Sequence, residues 1–258
     1  MAADGIRLIQ ISDCHLLADP AERLRGVDTD ATLAAVIARV RDDAPELVLA
    51  TGDLSQDGSA ASYRRVKALF GRLGAPVYCL PGNHDDAGVL AETMPGDGIH
   101  VIRSLRRDGW QIVFLDSTVA GQDDGHLPTA ELAALDAALA ACRERHALVC
   151  LHHHPVAVGG AWTDFVSLAN PEDLFAVLDR HPQVRGLVWG HIHQPFEGAR
   201  SGVRLFGAPA TCFQFARDAA DALAVADEPP AYRRFTLHAD GAIDSAVRWL
   251  DAGAPGDS

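Results

Sequence analysis

The sequence predicts an α/β fold, and three observations support this prediction. Apolar stretches typical of buried strands alternate with amphipathic helical stretches up to Leu80, which is the pattern of parallel βαβ units. Short β segments dominate the chain from Val203 onward. Polar residues directly follow several of the strands, and ligands of such sheets bind beyond the carboxyl ends of the strands. The fold class therefore also predicts where the functional site lies.

The part of the chain up to Leu80 supplies three strands and two helices. The strands are expected at Ile6–Ile11, 47–49 and Val77–Leu80, and the helices at about 29–43 and 60–73. The first helix carries apolar residues three and four positions apart, namely Leu33, Val36, Ile37 and Val40. This spacing places one apolar stripe against the sheet.

The middle of the chain predicts two strands, a long helix and a further strand. We expect strands at 101–103 and 112–115, with a polar turn around Asp108-Gly109 between them. Thr129 is a good N-cap, so the Ala-rich helix is expected to span about 129–145. The apolar run 147–151 is the next strand.

The last part of the chain predicts one more helix, at 171–180, and mostly β structure. The strands are expected at 186–189, 203–206, 212–215, 232–238 and 243–250. Asp240-Gly241 is a hairpin turn signal, so the last two strands should pair antiparallel. We expect residues 217–230 to form an acidic surface loop, residues 1–250 to form a single domain, and residues 251–258 to be a flexible tail.

The composition, with 48% hydrophobic and 22% charged residues among 258, is that of an ordinary globular protein. A formal charge of -13 argues against nucleic-acid binding, because phosphate backbones are held mainly by Lys and Arg. An acidic protein that acts on a phosphate compound needs another local positive charge, and metal ions supply one. We expect a cytoplasmic protein without stable membrane association, since no stretch approaches the about 20 apolar residues of a membrane span. The five cysteines, with no Cys-x-x-Cys spacing, are expected to be reduced thiols.

Residue types that bind metals follow five separate predicted strands, and their recurrence at one end of one sheet predicts a shared site. The candidate ligands are Asp13, His15, Asp53, Asn83, His153, His191 and His193. Seven ligands are too many for one tetrahedral zinc ion, but they suit two ions of four ligands each if one carboxylate bridges. Imidazole, carboxylate and amide donors without a thiolate favour a divalent or mixed-valence pair of Fe, Mn, Zn or Co ions.

Three consecutive histidines, His152-His153-His154, follow the strand that ends at Leu151. Side chains alternate along an extended backbone, so His152 and His154 should face away from His153. We therefore expect one or two of these imidazoles, and not all three, to reach the common site.

The ordered motifs of the chain resemble those of the calcineurin-like metallophosphoesterases. The matching motifs are Asp13-x-His15, Gly52-Asp53, Gly82-Asn83-His84-Asp85, His153-x-Pro155 and Gly190-His191-x-His193. The resemblance implies a four-layer α/β/β/α sandwich, in which helices flank two packed mixed β-sheets. It implies one ion held by Asp13, His15, Asp53 and His193, and another held by Asp53, Asn83, His153 and His191. Asp53 would then bridge the two ions.

The same resemblance places His84 near the substrate phosphate as an acid or a charge stabiliser. We expect Asp85 to orient the His84 ring through a hydrogen bond, which makes these two the catalytic residues. The substrate phosphate should lie against His15, Asp53, Asn83, His84 and His193.

Four further stretches, 151–155, 190–194, 208–215 and 237–241, resemble the bacterial class III 3′,5′-cyclic AMP phosphodiesterases. This resemblance implies that a small cyclic nucleotide is the substrate and that a hydroxide held between two ions converts cyclic AMP to 5′-AMP. Cyclic GMP, a 2′,3′-cyclic nucleotide, a glycerophosphodiester and a phosphomonoester remain alternative substrates, and a nuclease would share every ligand. A non-catalytic metal-binding protein is disfavoured because no ligand is missing. The oligomeric state stays open between a monomer and a homodimer.

Two segments are expected to form the walls of a base-binding pocket. The glycine-containing segment 158–168 follows a ligand strand and should form a mobile wall, and 212–215, preceded by Thr211, should form the opposite wall. An adenine ring between them would stack on Trp162 or Phe213. The alternative, that both are core aromatics, stays open at this stage.

Overall fold

Twelve strands and six helices make up the structure, a computed structural model that describes residues 5–216 and 224–250. The strands are β1 (Ile6–Ile11), β2 (Leu47–Thr51), β3 (Val77–Leu80), β4 (Ile99–His100), β5 (Ser104–Arg107), β6 (Trp110–Phe114), β7 (His146–Cys150), β8 (Val184–Trp189), β9 (Phe196–Arg200), β10 (Val203–Gly207), β11 (Ala231–Leu237) and β12 (Ile243–Trp249). The helices are α1 (Thr29–Asp42), α2 (Ala60–Phe70), α3 (Ala87–Thr93), α4 (Thr129–Ala140), α5 (Ala161–Phe165) and α6 (Pro171–Leu178).

The strands form two mixed six-stranded sheets. The first sheet has the order β12-β11-β1-β2-β3-β4 and the second has the order β5-β6-β7-β8-β10-β9. In the first sheet β1 to β4 are parallel, and the antiparallel pair of β11 and β12 extends it beyond β1. In the second sheet β6, β7, β8 and β10 are parallel, and β5 and β9 form antiparallel edges. The predicted βαβ units and the predicted terminal hairpin are both confirmed.

Alternation along the strands builds a layered core. In β2, Val48 and Ala50 pack with apolar residues of α1 and α2, whereas Leu47 and Leu49 pack between the two sheets. In β7, Ala147 and Val149 pack with α4 and α6. Each sheet therefore buries one face against helices and the other face against its partner sheet. The four-layer sandwich is confirmed.

The strand predicted at 101–103 lies instead at Ser104–Arg107, in the hairpin of β5 and β6. Arg107 pairs with Trp110, so the connection has only two residues, Asp108 and Gly109. Both have positive φ, 43° and 85°, as a type I′ turn requires. This turn fixes the register, and the first strand of the hairpin consequently occupies the residues immediately before it.

The strand predicted at 212–215 is wrong. The backbone N–H of Thr211 donates to Ser12 O, and the Gln214 side chain hydrogen-bonds both backbone groups of Ala210, so local contacts hold this segment as a loop. Strand β9 was not predicted, because Gly198 at its centre weakens the strand pattern. The described part of the predicted acidic loop has an isolated bridge at Val225, and the predicted tail, 251–258, lies outside the described residues.

The helices differ from the predictions mainly at their ends. Pro128, with φ -63° and extended ψ, is the N-cap of α4, so Thr129 is the first helical residue and not the cap. Three predicted helices end a few residues early, and the short helices α3 and α5 were not predicted. Within the described residues, no helix combines the length and the apolar character needed to cross a bilayer.

The two sheets approach each other closely at Gly190, the residue after β8. A Cβ atom at this position would overlap the Ser12 hydroxyl, and it would lie 2.8 Å from Thr51 O and 2.9 Å from Asp13 Oδ2. Only glycine allows the ends of β1, β2 and β8 to meet here. The carboxyl ends of strands from both sheets are thereby brought to one place.

Gly190→Ala should lower the free energy of unfolding by about 2–3 kcal/mol, because the added methyl group has no space between the sheets. Urea unfolding of the metal-free protein measures this loss without a contribution from bound ions. Gly71→Ala is the matched control, because Gly71 has φ -57° and a Cβ atom there would find its nearest neighbour at 3.5 Å. Equal stability of the two variants would contradict the tight contact at Gly190.

Candidate metal centre

The seven predicted ligands all lie at the carboxyl ends of strands, in two adjoining clusters. In the first cluster, His15 Nε2 lies 3.1 Å from His193 Nε2 and 3.6 Å from Asp53 Oδ2. Asp13 Oδ1 lies 3.6 Å from His193 Nε2. These four residues are the set that the sequence assigned to one ion.

The second cluster contains Asp53, Asn83, His191 and two of the three consecutive histidines. His152 Nε2 lies 3.3 Å from Asp53 Oδ2 and 3.1 Å from Asn83 Oδ1. Ligand atoms of His152, His153 and His191 lie within 4.8 Å of one another. Asp53 is therefore the carboxylate common to both clusters.

The predicted alternation of the three histidines is wrong. Strand β7 ends at Cys150, so the backbone of His152, His153 and His154 is no longer extended. All three rings pack against His191, with centroid distances of 5.0, 4.8 and 5.8 Å. His152, which was not among the predicted ligands, is the one that contacts both Asp53 and Asn83.

Five candidate ligands have a backbone conformation that non-glycine residues rarely adopt. The φ angles are 56° at Asp13, 49° at His15, 50° at Asp53, 68° at His191 and 48° at His193. Four of these five residues belong to the two motifs with a spacing of two residues, Asp13-x-His15 and His191-x-His193. Strained residues of this kind cluster at functional sites, where the surrounding structure holds them in place.

Hydrogen bonds on the far side of each ring determine which nitrogen faces the first cluster. His15 Nδ1 lies 2.8 Å from Gln56 Oε1, and His193 Nδ1 lies 2.8 Å from Phe213 O. Both partners are carbonyl oxygens, which only accept, so both Nδ1 atoms carry the proton. The two Nε2 lone pairs consequently point at each other across 3.1 Å, an arrangement that a cation between them would stabilise.

The second cluster follows the same rule. His152 Nδ1 donates to Thr51 O at 2.8 Å, and His191 Nε2 donates to Val166 O at 2.9 Å, so His152 Nε2 and His191 Nδ1 are the nitrogens left to face a metal ion. His153 Nδ1 lies 2.8 Å from the Ser117 hydroxyl, and its buried Nε2 has no partner among the described residues. Converging acceptors and an unpaired nitrogen fit a metal ion.

Burial keeps most of these imidazoles neutral, which is the form that binds metals. It lowers the pKa of His15 to about 4 and holds the pKa values of His191 and His193 well below the usual range. For His152, burial lowers the pKa, but the Asp53 and Asp13 carboxylates and the hydrogen bond to Thr51 O together outweigh burial and raise the pKa to about 9. Burial, with a contribution from Asp53, raises the pKa of Asp13 to about 7, as expected for two close carboxylates. Positive charge at this site would relieve their repulsion.

Asp85 does not have the predicted catalytic role of orienting His84. Its carboxylate accepts from four donors, at distances of 2.9 to 3.2 Å: the backbone N–H groups of Gly82, Leu54 and Ser55 and the hydroxyl of Tyr63. These bonds tie the loop after β3 to the loop after β2. Asp85 is thus a structural anchor that places its neighbours Asn83 and His84.

The side-chain partner of the His84 ring is Gln56, which sequence reasoning missed. Gln56 Nε2 lies 3.1 Å from His84 Nδ1, and the His84 backbone N–H donates to Asp53 Oδ1 at 2.9 Å. The sequence offered one signal for Gln56, its position three residues after Asp53 in the same loop. Glutamine in a polar loop is too common for that position alone to indicate a role.

A cavity of about 220 Å³ opens over the two clusters. All five residues predicted to contact the substrate phosphate line it: His15, Asp53, Asn83, His84 and His193. The predicted walls also line it, through Trp162 of the segment 158–168 and through Phe213 and Phe215 of the segment 212–215. Thr163 and Val166, from the predicted wall 158–168, and the candidate ligand His191 also line it. Leu24, Arg25, Gln56 and Asp123, which were not predicted, complete the lining.

The fold and the two clusters agree with a comparison to known families. The sequence profile of the calcineurin-like phosphoesterases matches residues 6–195. The chain therefore belongs to the calcineurin-like phosphoesterase family, whose members use divalent metal ions.

Close relatives cover almost the whole chain. A protein of Pseudomonas aeruginosa, named 3′,5′-cyclic adenosine monophosphate phosphodiesterase CpdA, is 40% identical over 249 residues, which are 96% of this chain and 91% of that protein. The protein of the same name from Escherichia coli K12 is 38% identical, over 95% of this chain and 90% of its own. A 3′,5′-cyclic-nucleotide phosphodiesterase of Nostoc is 38% identical, over 97% and 94%.

Solved structures share the fold at much lower identity. A dimetal phosphatase from Danio rerio has a TM-score of 0.66 and 16% identity, with 92% of this chain and 94% of that chain covered. The purple acid phosphatase PPD1 from yellow lupin seeds has a TM-score of 0.68 and 14% identity, with 95% and 51% covered. These likenesses support the two-sheet fold and no finer assignment.

Elemental analysis should find two tightly held transition ions per chain, and Asp53→Ala should lose both, because Asp53 is the one carboxylate shared by the two clusters. His152→Ala should lose one ion, since His152 Nε2 contacts both Asp53 and Asn83. His154→Ala is the matched control and should keep both ions, because His154 belongs to neither cluster.

Two outcomes would contradict these expectations. Retention of two ions in Asp53→Ala would exclude a bridging role for Asp53. If His153→Ala lost an ion and His152→Ala lost none, His153 and not His152 would be the metal ligand.

Proposed function

We propose that this protein hydrolyses 3′,5′-cyclic AMP to 5′-AMP with two transition metal ions. The observation that carries the proposal is the cavity, in which the candidate metal ligands lie beside aromatic side chains. A cyclic nucleotide needs both surfaces in one pocket, a polar one for its phosphate and an apolar one for its base. The relatives named as cyclic AMP phosphodiesterases support the same substrate.

Asp13, His15, Asp53 and His193 would hold the first ion, and Asp53, Asn83, His152 and His191 would hold the second, with His153 as an additional candidate. Neutral nitrogen and hard oxygen donors suit Fe, Mn, Zn or Co. When bound, two such ions supply Lewis-acid chemistry, which makes water a stronger nucleophile at neutral pH and neutralises charge on the phosphate oxygens.

The protein's own residues position the diester and its leaving group. Water attack on phosphorus breaks the bond to O3′, and the departing oxygen takes up a proton. His84 lines the cavity and belongs to neither ion's expected ligand set, so it is free to offer its ring N–H to O3′. Its backbone N–H bond to Asp53 and its ring contact with Gln56 fix its position.

The base would lie on Trp162. Phe213 is only 4% exposed and packs against the His193 and Phe215 rings, so no base can lie flat on it. Phe215 has one face against His193, with ring centroids 4.4 Å apart. Trp162 is only partly buried and lines the cavity. Of the two stacking residues predicted from the sequence, Trp162 is therefore the better candidate.

Hydrolysis of a substrate panel by the metal-reconstituted protein tests the proposal. The panel contains cyclic AMP, cyclic GMP, bis(p-nitrophenyl) phosphate and p-nitrophenyl phosphate. We expect the highest kcat/KM for cyclic AMP and 5′-AMP as the product. A higher kcat/KM for the monoester or for cyclic GMP would identify that compound, and not cyclic AMP, as the substrate. The net charge of -13 argues against a nuclease that acts on long nucleic acids.

His84→Ala should keep both metal ions and lower the turnover of cyclic AMP by roughly 10²–10⁴-fold, because O3′ is a poor leaving group that needs a proton. Turnover of bis(p-nitrophenyl) phosphate should fall much less, since p-nitrophenolate leaves without one. Steady-state kinetics with both substrates provides the comparison. Equal losses on the two substrates would show that His84 stabilises charge and does not act as an acid.

Trp162→Ala should raise KM for cyclic AMP about 5- to 100-fold, in line with roughly 1–3 kcal/mol for one stacked base. The KM for bis(p-nitrophenyl) phosphate should change little, because that diester has no purine. Phe165→Ala is the matched control, since Phe165 lies on the same short helix and is 81% exposed, outside the cavity lining. Parallel losses on both substrates would count against base stacking.

A further inference from the structure

The Gln56 side chain connects two histidines that have different expected roles. Its Oε1 lies 2.8 Å from His15 Nδ1, and its Nε2 lies 3.1 Å from His84 Nδ1. His15 is a candidate metal ligand, and His84 is the candidate hydrogen-bond donor to the leaving O3′. Their rings meet edge to face with centroids 5.0 Å apart, and one amide group contacts both of them.

The two ends of an amide have opposite hydrogen-bonding character. The oxygen only accepts, so the proton of neutral His15 is on Nδ1, and its Nε2 lone pair faces the first metal cluster. The nitrogen only donates, so His84 Nδ1 is the acceptor and the ring N–H is on Nε2. One glutamine thereby selects opposite tautomers in two neighbouring rings.

With a metal ion on His15 Nε2, the His15 proton is on Nδ1, so the amide cannot turn over without losing its contact with His15. Rotation by 180° would place its N–H groups against the His15 N–H. The backbone also restrains the residue, because the Gln56 N–H donates to Leu16 O at 2.9 Å in the loop that carries His15. The backbone of Gln56 is thus fixed to the loop that carries His15, and its side chain reaches from there to His84.

Asp85 cannot replace Gln56 in this role. Its carboxylate is taken up by the three backbone N–H groups and the Tyr63 hydroxyl that anchor the loop. Within the described residues, the Gln56 amide is the side-chain group hydrogen-bonded to the His84 ring.

We propose that Gln56 is a positioning residue that presents the His84 Nε2–H as a hydrogen-bond donor to the leaving O3′, which takes its proton from the attacking water, while keeping His15 Nε2 free to bind a metal ion. The part that concerns O3′ rests on the proposed function. The part that concerns the two tautomers does not depend on any activity.

A double-mutant cycle tests the part that acts through His84. Gln56→Met removes both hydrogen bonds, and we expect it to lower kcat for cyclic AMP by about 10–100-fold, with a smaller loss on bis(p-nitrophenyl) phosphate. In protein loaded with two metal ions, so that the contact with His15 no longer limits metal binding, the same substitution in a His84→Ala background should change kcat less than about twofold, because His84 is gone. Losses that multiply in the double variant would overturn the proposal.

Gln56→Glu separates the two hydrogen bonds in a side chain of nearly the same shape. A carboxylate still accepts from His15 Nδ1–H but has no N–H for His84. The variant should retain two ions per chain by elemental analysis and should place a proton on His84 Nδ1, which nitrogen-15 NMR of the side chain detects. A His84 Nδ1 that stays unprotonated in this variant would overturn the proposal.

Nitrogen-15 NMR of histidine side chains in the zinc-loaded protein tests the tautomers without any assay of activity. The wild type should show His84 with its proton on Nε2 and His15 with its proton on Nδ1, and Gln56→Met should change the His84 pattern. A wild-type His84 with its proton on Nδ1 would overturn the proposal even if cyclic AMP is the substrate. The expected NMR pattern without cyclic AMP hydrolysis would instead reject only the proposed substrate.

Gln183→Met is the matched control for loss of a glutamine side chain. Gln183 precedes β8, at the opposite end of that strand from His191, and donates one hydrogen bond to Leu139 O at 2.9 Å. Its kcat, metal content and NMR pattern should equal those of the wild type. Thermal unfolding of both Met variants shows whether a loss of activity reflects a loss of folded protein.

Discussion

The Asp53 carboxylate is the group on which the rest of the site depends. It is 2% exposed, and its oxygens lie 3.3 Å from His152 Nε2, 3.6 Å from His15 Nε2 and 2.9 Å from the His84 backbone N–H. A buried carboxylate is costly unless positive charge or hydrogen bonds compensate it. The two clusters of imidazoles and the loop that carries His84 are all arranged around this one requirement.

The hydrogen bonds behind the imidazoles extend this arrangement to the end of β2 and to two segments that are neither helix nor strand. Thr51 O, Val166 O and Phe213 O each accept a hydrogen bond from a candidate metal ligand. Such outer partners fix the tautomer of a ligand and orient its ring. The loop at 211–215 is therefore more than a cavity wall. Its conformation determines which nitrogen His193 turns toward the first cluster.

The fold and the place of the site could be predicted because both follow from local patterns. Apolar runs such as Val77–Leu80 identify strands, and polar residues directly after them identify the common end of the sheet. The four layers and the assignment of ligands came from the resemblance to a family, and the motifs that carry it are also local. Prediction from local patterns failed for strand β9, which was missed, and for 212–215, which was wrongly expected to be a strand. The same local patterns occur in strands and in anchored loops.

The sequence by itself determined the α/β class and the seven candidate ligands, because a strand and the residues after it are encoded together. Only the tertiary structure decided that His152 contacts Asp53 and Asn83, since the backbone leaves the extended conformation after β7. It also decided that Gln56 holds the His84 ring, and that Asp85, the residue after His84, does not. These contacts join loops that are distant in the chain. Their geometry depends on how two sheets pack, and no local pattern records it.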